Sequence, residues 1–292
     1  MRRVILVCVL SGFIFAGCGS DDDETPLEQE QVQDVLVYLS TSPLSDSGTN
    51  STAISDENLI SRLILFGVDD KNMFVKAFPV ITNPSMTGIA LTIPIEVKTF
   101  YAVANPTMAI ESANLSSFSD IFNLTSSFAV APAAPFLMSG KGNVSGSAVN
   151  IELIRAVARI EVVAHNDFVI ESVTVKKTPD KGYVFKKETS EPPASSVMVA
   201  YPANTTNFIV YVAENTKNSP SEFEVAGKYL GQPVSYSIVL ENNGSAVNIV
   251  RNTCYQISIT ESNDVDCTFT ITITMPVWED VNTDNYIITK EK

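Results

Sequence analysis

Residues 255–275 read YQISITESNDVDCTFTITITM, and this stretch decides the fold class. Tyr255, Ile257 and Ile259 alternate with polar residues, so a β-strand would place all three side chains on one face. Beyond a polar turn, phenylalanine and isoleucine alternate with threonine from 268 to 274. The two alternating runs predict an antiparallel hairpin with one face buried and the other in water.

Short runs of this kind recur along the chain from Asp34 onward. They alternate or are rich in β-branched residues, and clusters of Asn, Gly, Pro, Ser and Asp interrupt them about every ten residues. The pattern predicts an all-β protein. One short amphipathic helix is also predicted, with Leu115, Phe118, Ile121 and Phe122 on its apolar side. The other strand candidates are residues 35–39, 63–68, 99–104, 150–163, 172–176, 208–213 and 236–240.

Two regions of the chain resemble each other, which hints at two related halves. Residues 101–105 read YAVAN and residues 211–215 read YVAEN. The polar segment 164–167 follows the long strand candidate 150–163 and is typical of a domain boundary. The chain has 292 residues, enough to bury two separate cores. The predicted domains are residues 34–163 and residues 168–292.

The chain is strongly acidic. It has 33 Asp and Glu residues against 19 Lys and Arg residues, which gives a formal net charge of −14. Such a chain repels polyphosphates at long range. We therefore expect no nucleic-acid partner.

Few residues suit catalysis or metal binding. His165 is the one histidine, and its setting in the sequence AHND predicts a polar turn and not a general base. The acidic pairs at 69–70 and 264–266 lack the loop of regularly spaced oxygen ligands that calcium needs, so we interpret them as solvated turns. No glycine-rich phosphate loop occurs in the sequence. We expect no enzyme activity, no metal site and no cofactor.

The alternation of faces in the last predicted hairpin also indicates whether its two cysteines can form a disulfide. Cys254 belongs to its polar face and Cys267 to its apolar face. Their side chains would point to opposite sides of the sheet, where they are too far apart to form a bond. We expect no disulfide.

Residues 1–17 have the layout of an export signal peptide. Two arginines precede the apolar run 4–15, and two small residues follow it. An apolar run this short falls below the ~20 residues of a membrane-spanning helix, which argues against the alternative of a transmembrane anchor.

Cys18 ends the segment FAGC, which resembles the lipobox of bacterial lipoproteins. The resemblance implies that Cys18 is acylated and becomes the mature N-terminus, with residues 18–33 as an acidic tether. A serine and several acidic residues beside such a cysteine resemble the surface-export signal of some Gram-negative lipoproteins. The alternative is a plain solvated tether. The expected location is the outer face of the outer membrane. The residues of the export signal are Ser20, Asp21, Asp22, Asp23 and Glu24.

Several short motifs occur in a fixed order over nearly the whole mature chain. They are SDENLI at 55–60 leading into LILF at 63–66, YAVAN at 101–105, MSG at 138–140, RAVARI at 155–160, YVAEN at 211–215, RNTCY at 251–255 and VW at 277–278. Together with the lipobox-like segment, this ordered set resembles the fimbrillin family. The resemblance implies two transthyretin-like β-sandwiches in tandem and a role in the type V pili of Gram-negative anaerobes.

The resemblance also implies a mode of assembly. A protease typically cuts after an arginine in the loop behind the first strand, and a terminal strand of the next subunit fills the groove that the freed strand leaves. In this chain the first strand would be residues 35–39, with Val35, Val37 and Leu39 facing inward by parity. The C-terminal stretch 279–292 could supply a donated strand, but its only apolar anchors are Val281, Tyr286, Ile287 and Ile288, so this donor would be weak.

The segment 41–58 departs from this pattern because it contains no Arg and no Lys. The nearest basic residue, Arg62, borders the next predicted strand. Either another protease processes the chain, or the subunit keeps its first strand and its lipid, as an anchor or accessory subunit would.

Two functions are open at this stage. The leading hypothesis is a non-catalytic fimbrial subunit, or an accessory or anchor subunit. Its partners would be other fimbrial subunits and the outer membrane, and a receptor on a host or bacterial surface is left open. The alternative is a surface glycan-binding β-sandwich lipoprotein, which would carry several aromatic side chains on one exposed face. The aromatic candidates are Trp278, Tyr183, Phe185 and Tyr201.

Overall fold

The computed structural model describes residues 31–41, 55–111, 113, 115–187, 196–242, 244–261, 269–274 and 285–289. Regular structure within these ranges is almost entirely β, which confirms the all-β prediction. The helices found there are short, and none has the length and apolar character needed to span a membrane. They are a 3₁₀ helix (Ser55–Asn58), α1 (Met108–Glu111) and α2 (Phe118–Phe122), the last of which lies where a helix was predicted.

The N-terminal part of the chain builds one eight-stranded sheet. Its strands are β1 (Val32–Thr41), β2 (Arg62–Val68), β3 (Phe74–Ala77), β4 (Ile81–Thr82), β5 (Ile89–Pro94), β6 (Thr99–Ala104), β8 (Met138–Ser145) and β9 (Ala148–Arg155). Their order is β3-β2-β6-β8-β9-β1-β5, and β4 pairs with β2. Buried side chains of this sheet, such as Leu63, Phe100 and Ile151, form one apolar core.

Two glycines let β9 pass very close to β8. β8 pairs with β6 from Met138 to Asn143, but it pairs with β9 only near its two ends. A Cβ atom on Gly140 would lie 2.0 Å from the carbonyl oxygen of Glu152, and one on Gly142 would lie 2.2 Å from that of Asn150. Only a residue without a side chain tolerates such an approach. The glycines therefore allow the β9 backbone to approach β8 between its two paired ends, while residues 148–153 of β9 pair with β1.

The C-terminal part of the chain forms two sheets that share a second core. Their strands are β10 (Val157–Ala164), β11 (Phe168–Pro179), β13 (Ser196–Thr205), β14 (Asn207–Ala213), β15 (Glu222–Tyr229), β16 (Gln232–Val239), β19 (Cys254–Glu261), β20 (Phe269–Thr274) and β21 (Asn285–Thr289). One sheet has the order β14-β10-β19-β20-β21 and the other β13-β11-β15-β16. Ile160 and Ile257 of the first sheet pack with Val173 and Phe223 of the second. A small ribbon of β17 (Glu241–Asn242) and β18 (Ser245–Ala246) lies nearby in sequence.

The predicted hairpin at 255–275 is present as β19 and β20. The two strands are antiparallel, with Ile257 opposite Ile273. Tyr255, Ile257 and Ile259 are all buried, which confirms the apolar face of β19.

The single strand predicted over 150–163 is wrong, because the chain changes sheets at Ala156. β9 ends at Arg155 in the N-terminal sheet, whereas β10 begins at Val157 and pairs with β14 and β19. Buried core positions are odd-numbered in β9 and even-numbered in β10, so the alternation changes phase at the break. The prediction missed this shift because the apolar residues Ile154, Ala156 and Val157 make the run look continuous. The change of sheet thus precedes the polar segment 164–167. The described residues from Val32 onward belong to one compact unit, and the division into two domains stays a prediction.

A third apolar core joins the N-terminal and C-terminal sheets. It combines Phe66 and Tyr101 of the first sheet with Val157 of β10 and with Phe185. Above it, β7 (Thr125–Ser127) pairs with β12 (Lys181–Tyr183), so a ribbon contains one strand from each part of the chain. The two parts are therefore packed together over a shared core.

The close approach at Gly142 leads to a stability prediction. In an ordinary strand, replacing glycine by alanine stabilises the fold by about 0.5–1 kcal/mol because it reduces the freedom of the unfolded chain. Here Gly142→Ala should instead lower the free energy of unfolding by about 2–3 kcal/mol, because the new methyl group meets the backbone of β9. Urea denaturation followed by circular dichroism measures the change. Lys141→Ala, on the same strand and exposed, is the control and should stay within about 0.5 kcal/mol. An unchanged or raised stability for Gly142→Ala would contradict the close approach.

Candidate functional site

The first strand, β1, lies inside the N-terminal sheet and has a partner on each side. Residues 32–37 pair antiparallel with β5, and residues 36–41 pair parallel with β9. The two ladders overlap at Leu36 and Val37. The Leu36 amide also donates to the carbonyl oxygen of Ser147, at 2.8 Å. Removing β1 would therefore leave two backbone edges without partners.

The inner face of β1 is apolar and buried. Val35, Val37 and Leu39 are 2%, 0% and 5% exposed, and they pack in the core of the N-terminal sheet. Burial of one such side chain contributes about 1.5–3 kcal/mol. We call the space that these three side chains and the β1 backbone occupy, between β5 and β9, the β1 groove. That a strand from another subunit can replace β1 in this groove stays a prediction.

The outer face of β1 borders a shallow cleft. Asp34, Leu36, Ala90, Thr92 and Ser147 line it, and the Thr92 hydroxyl donates to the Asp34 carboxylate at 2.7 Å. One carboxylate on an open surface offers little to a metal ion. Within the described ranges no group of three or more His, Cys, Asp or Glu side chains could hold one.

The chain that follows β1 re-enters the described structure at the 3₁₀ helix, where Glu57 is buried. Its carboxylate is 1% exposed and accepts hydrogen bonds from the Arg159 guanidinium, 3.3 Å away, and from the Tyr211 hydroxyl. Arg159 is 2% exposed and also pairs with Glu161 at 2.7 Å. Burial and the bond to Glu57 raise the pKa of the Tyr211 hydroxyl, so it remains a neutral donor.

Arg155 extends this network from the last residue of β9. Its guanidinium is fully buried and donates to the Glu57 carbonyl oxygen at 3.1 Å, to the Asn252 side chain at 2.8 Å, and to the Asn58 side chain. Burial lowers the pKa of Arg155 and the Glu57 charge opposes that shift. We name Glu57, Arg155, Arg159 and Tyr211 the junction cluster, because they bring the connector after β1, the end of β9 and two C-terminal strands together.

The next residues of the connector are fixed by Asn105. The Ser61 amide donates to the Asn105 side-chain oxygen at 2.8 Å. The amide nitrogen of Asn105 donates to the carbonyl oxygens of Leu59 and Phe136, at 2.7 and 2.8 Å. The stretch from Glu57 to Ser61 is thus held by side chains from several distant strands.

Sequence reasoning identified these segments as motifs but assigned the cluster no role. SDENLI supplies Glu57, RAVARI supplies both arginines, and YVAEN supplies Tyr211. The available signal was two arginines four residues apart within an apolar run, in a chain with few basic residues. Charged residues in such a run need buried partners.

Several predicted site residues lie outside the described residues. These include Cys18 and the export signal Ser20, Asp21, Asp22, Asp23 and Glu24, as well as Trp278 and Cys267. Part of the predicted C-terminal donor is β21, which pairs with β20 at the edge of its sheet. Cys254 is buried with a free thiol. The absence of a disulfide to Cys267 stays a prediction.

Among the aromatic residues considered for glycan binding, the three that the structure describes do not share one exposed face. Phe185 is buried, with its ring 5.4 Å from that of Tyr101. The Tyr201 hydroxyl donates to the Tyr211 carbonyl oxygen at 2.6 Å, and burial raises its pKa. Tyr183 is half-buried, and the Lys187 ammonium lies 3.7 Å above its ring.

His165 lies in a turn, as predicted from its polar setting. Its Nδ1 is 3.5 Å from the Asp167 carboxylate and accepts from the Asp167 amide at 3.3 Å. Both contacts join neighbouring residues of one turn, so they belong to the local turn structure.

Comparison with solved structures places this architecture among fimbrial proteins. The tip fimbrial protein Mfa3 from Porphyromonas gingivalis, with a C-terminal truncation, superposes with a TM-score of 0.60 at 15% identity, over 84% of this chain and 99% of that chain. A fimbrial assembly protein from Parabacteroides distasonis gives 0.60 at 16% identity, over 87% and 99%. A fimbrilin (FimA) from Porphyromonas gingivalis gives 0.52 at 12% identity, over 90% and 99%.

No protein-family model and no curated protein sequence matches the chain. At identities this low, the structural likeness establishes the fold alone. The chain has the fold of these fimbrial proteins.

Proposed function

We propose that the chain is a non-catalytic fimbrial subunit, or an accessory or anchor subunit, that assembles by β-strand complementation. The observation that carries the proposal is the position of β1 between two partners, with Val35, Val37 and Leu39 buried. The fold shared with fimbrial proteins supports it. The proposal includes tandem sandwiches of the transthyretin-like type.

The geometry of the β1 groove defines what could replace β1. A replacement strand would run parallel to β9 and antiparallel to β5, because β1 does so. It would carry apolar side chains at three alternate positions, since successive side chains point to opposite faces. An exposed groove would leave unpaired backbone groups and apolar pockets in water, so an isolated open state is costly. A strand from a neighbouring subunit removes that cost.

We further propose that this subunit is exported as a lipoprotein and keeps its lipid. Cys18 would carry the acyl chains, and the acidic segment after it would direct the protein to the cell surface. The segment 41–58 offers no Arg or Lys to an arginine-specific protease. A subunit that retains β1 does not accept a donor strand, so it would take part in strand complementation by donating its C-terminal stretch 279–292, which fits an accessory or anchor role. Its partners would be other fimbrial subunits, and its receptor is open.

The glycan-binding alternative has no observation in its favour among the described residues. Phe185 and Tyr201 pack inward, and Tyr183 is covered by Lys187. A sugar platform needs aromatic faces open to solvent. We therefore propose no second function.

The assembly proposal is tested on surface filaments. Filaments sheared from cells that express the chain should contain it, and intact-mass spectrometry should give a mature N-terminus at Cys18 with its lipid. A start between residues 41 and 63 would show that β1 is removed and that the chain polymerises like an ordinary subunit. Absence of the protein from the filament fraction, with an unchanged filament in cells lacking the gene, would overturn the fimbrial role.

Substitutions on β1 test the buried face of the groove. Val37→Asp should lower the free energy of unfolding by about 3–5 kcal/mol, because it places a carboxylate in the apolar core. Leu36→Asp is the matched control: Leu36 is the next residue on the strand, 42% exposed, and its change should stay within about 1 kcal/mol. Both values come from urea denaturation. Equal effects would contradict the assigned faces of β1.

The lipid prediction is tested by metabolic labelling. Cys18→Ala should abolish incorporation of a radiolabelled fatty acid and release the protein from the membrane fraction, because the tether alone is acidic and has no affinity for a bilayer. Cys8→Ala is the control, since Cys8 lies within the predicted signal peptide and labelling should be unchanged. Label retained in the Cys18→Ala protein would contradict the assignment.

A further inference from the structure

Strand β5 forms one edge of the N-terminal sheet. It comes last in the strand order, next to β1, and no other strand in the described part of the chain pairs with its far side. The outer side of an edge strand presents backbone N–H and C=O groups that can pair with the backbone of another chain. The sheet can therefore be extended at β5.

The direction of the β5 backbone groups follows from one hydrogen bond of β1. The Leu36 amide donates to the residue that precedes β9, so it points away from β5. Backbone groups of successive residues in a strand point to opposite sides, so those of Val35 point toward β5, where Leu91 is the paired residue. The groups of Ala90 and Thr92, on either side of Leu91, then point to the open edge.

The usual protections of an edge strand are missing from β5. Natural edge strands are commonly very short, bulged, or interrupted by proline or lysine. β5 has six residues, IALTIP, in an unbroken register with β1, and its one proline is the last residue. No charged residue occurs between Lys76 and Glu96. The strand is thus open to pairing along its length.

The edge strands β3, β13, β14 and β16 are better protected. β13 contains Pro202, and its pairing with β11 is irregular at two places. β16 has Pro233 near its start. In β14 the Tyr211 carbonyl oxygen already accepts a hydrogen bond from the Tyr201 hydroxyl. β3 has only four residues, and one of them is Lys76. This contrast distinguishes β5 as a surface for strand addition.

The open edge of β5 is complementary to itself. Two copies of β5 can pair antiparallel about a twofold axis at Leu91, which places Ala90 of each copy opposite Thr92 of the other. These are the residues whose backbone groups point outward, so each such pair exchanges two hydrogen bonds. On the inner face, Leu91 meets its counterpart and Ile89 meets Ile93 of the second copy.

Side chains and charge favour a second copy as the occupant of this edge. Ile89 and Leu91 pack against the N-terminal core but are only partly buried, and a second apolar row beside them would remove more of their surface from water. The contact brings no charge from either β5 strand, so it avoids the repulsion that two copies of net charge −14 meet elsewhere. The Asp34 carboxylate lies one strand away from the edge, where it accepts the Thr92 hydroxyl.

We propose that the open edge of β5 is a self-association surface, at which a second copy of this chain adds its own β5 and the two N-terminal sheets become one. The inference goes beyond the proposed strand complementation, because β1 stays in place in both copies. A twofold contact uses the same surface on both copies, so the assembly closes as a dimer.

Self-association is measured on the mature chain with Cys18→Ala, so that no lipid contributes. Sedimentation velocity over a range of concentrations should show a monomer–dimer equilibrium for this parent protein. Ala90→Pro removes an amide that points to the open edge and leaves the ladder with β1 intact, so it should weaken the dimer at least about tenfold. Ala90→Ser keeps the amide and is the matched control, with an expected change below about twofold.

A cysteine pair tests the register and does not depend on how well Ala90→Pro folds. Leu91→Cys should form an intermolecular disulfide under mild oxidation, because the twofold axis places position 91 of both copies opposite each other, within the distance that a disulfide spans. Leu36→Cys is the matched control. Leu36 is 42% exposed but lies on β1, so the two copies of this position are ~14 Å apart, three strand spacings. The parent protein gives the background from the other cysteines.

Each measurement has an outcome that overturns the inference. A parent protein that stays monomeric up to about 1 mM has no such surface, and that result leaves the proposed fimbrial role untouched. Equal dimerisation of Ala90→Pro and Ala90→Ser would place the contact away from β5. Cross-linking of Leu36→Cys as strong as that of Leu91→Cys would exclude the twofold register at Leu91.

Discussion

A strand in the interior of a sheet needs a backbone partner on each side, and the N-terminal half of this protein depends on how β1 meets that requirement. β1 joins β5 and β9, which run in opposite directions. Its three inward side chains complete the core beneath. β1 is the first described strand, and two ladders, one apolar row and the bonds of Asp34 and Leu36 hold it in place. The groove that it fills is the proposed site for a separate strand. The proposed assembly follows from that arrangement.

Apolar and charged contacts have different roles where the N-terminal and C-terminal parts of the chain meet. Apolar side chains of both parts form a shared core that includes Phe66, Tyr101 and Val157. Burial of such apolar surface is the main driving force of folding. The charged cluster around Glu57 adds little net stability, but it is directional. It selects which end of β9 meets which residue of the connector, and an apolar contact does not impose that geometry.

This chain shares its fold with the three fimbrial proteins at only 12–16% sequence identity, and the physics of β-sheets explains why so little identity is needed. A sheet needs alternate apolar residues on its buried face, and many residue types satisfy that need. Special positions are fewer. Gly140 and Gly142 permit two strands to approach, Asn105 fixes the connector, and the junction cluster joins the parts. The function proposed for this chain therefore depends on its own groove, while the comparisons support the architecture.

The sequence by itself determined the fold class, the buried face of β19 and the parity of Val35, Val37 and Leu39, because a period of two is a local property of a strand. The break at Ala156 was missed because apolar residues run through it, although the buried positions shift there from odd to even numbers. The partners of β1 and the meeting of Glu57 with Arg159, 102 residues apart, were decided by tertiary structure alone. Strand pairing and buried ion pairs depend on the whole arrangement of the chain, because their free energy depends on which distant groups exclude water together.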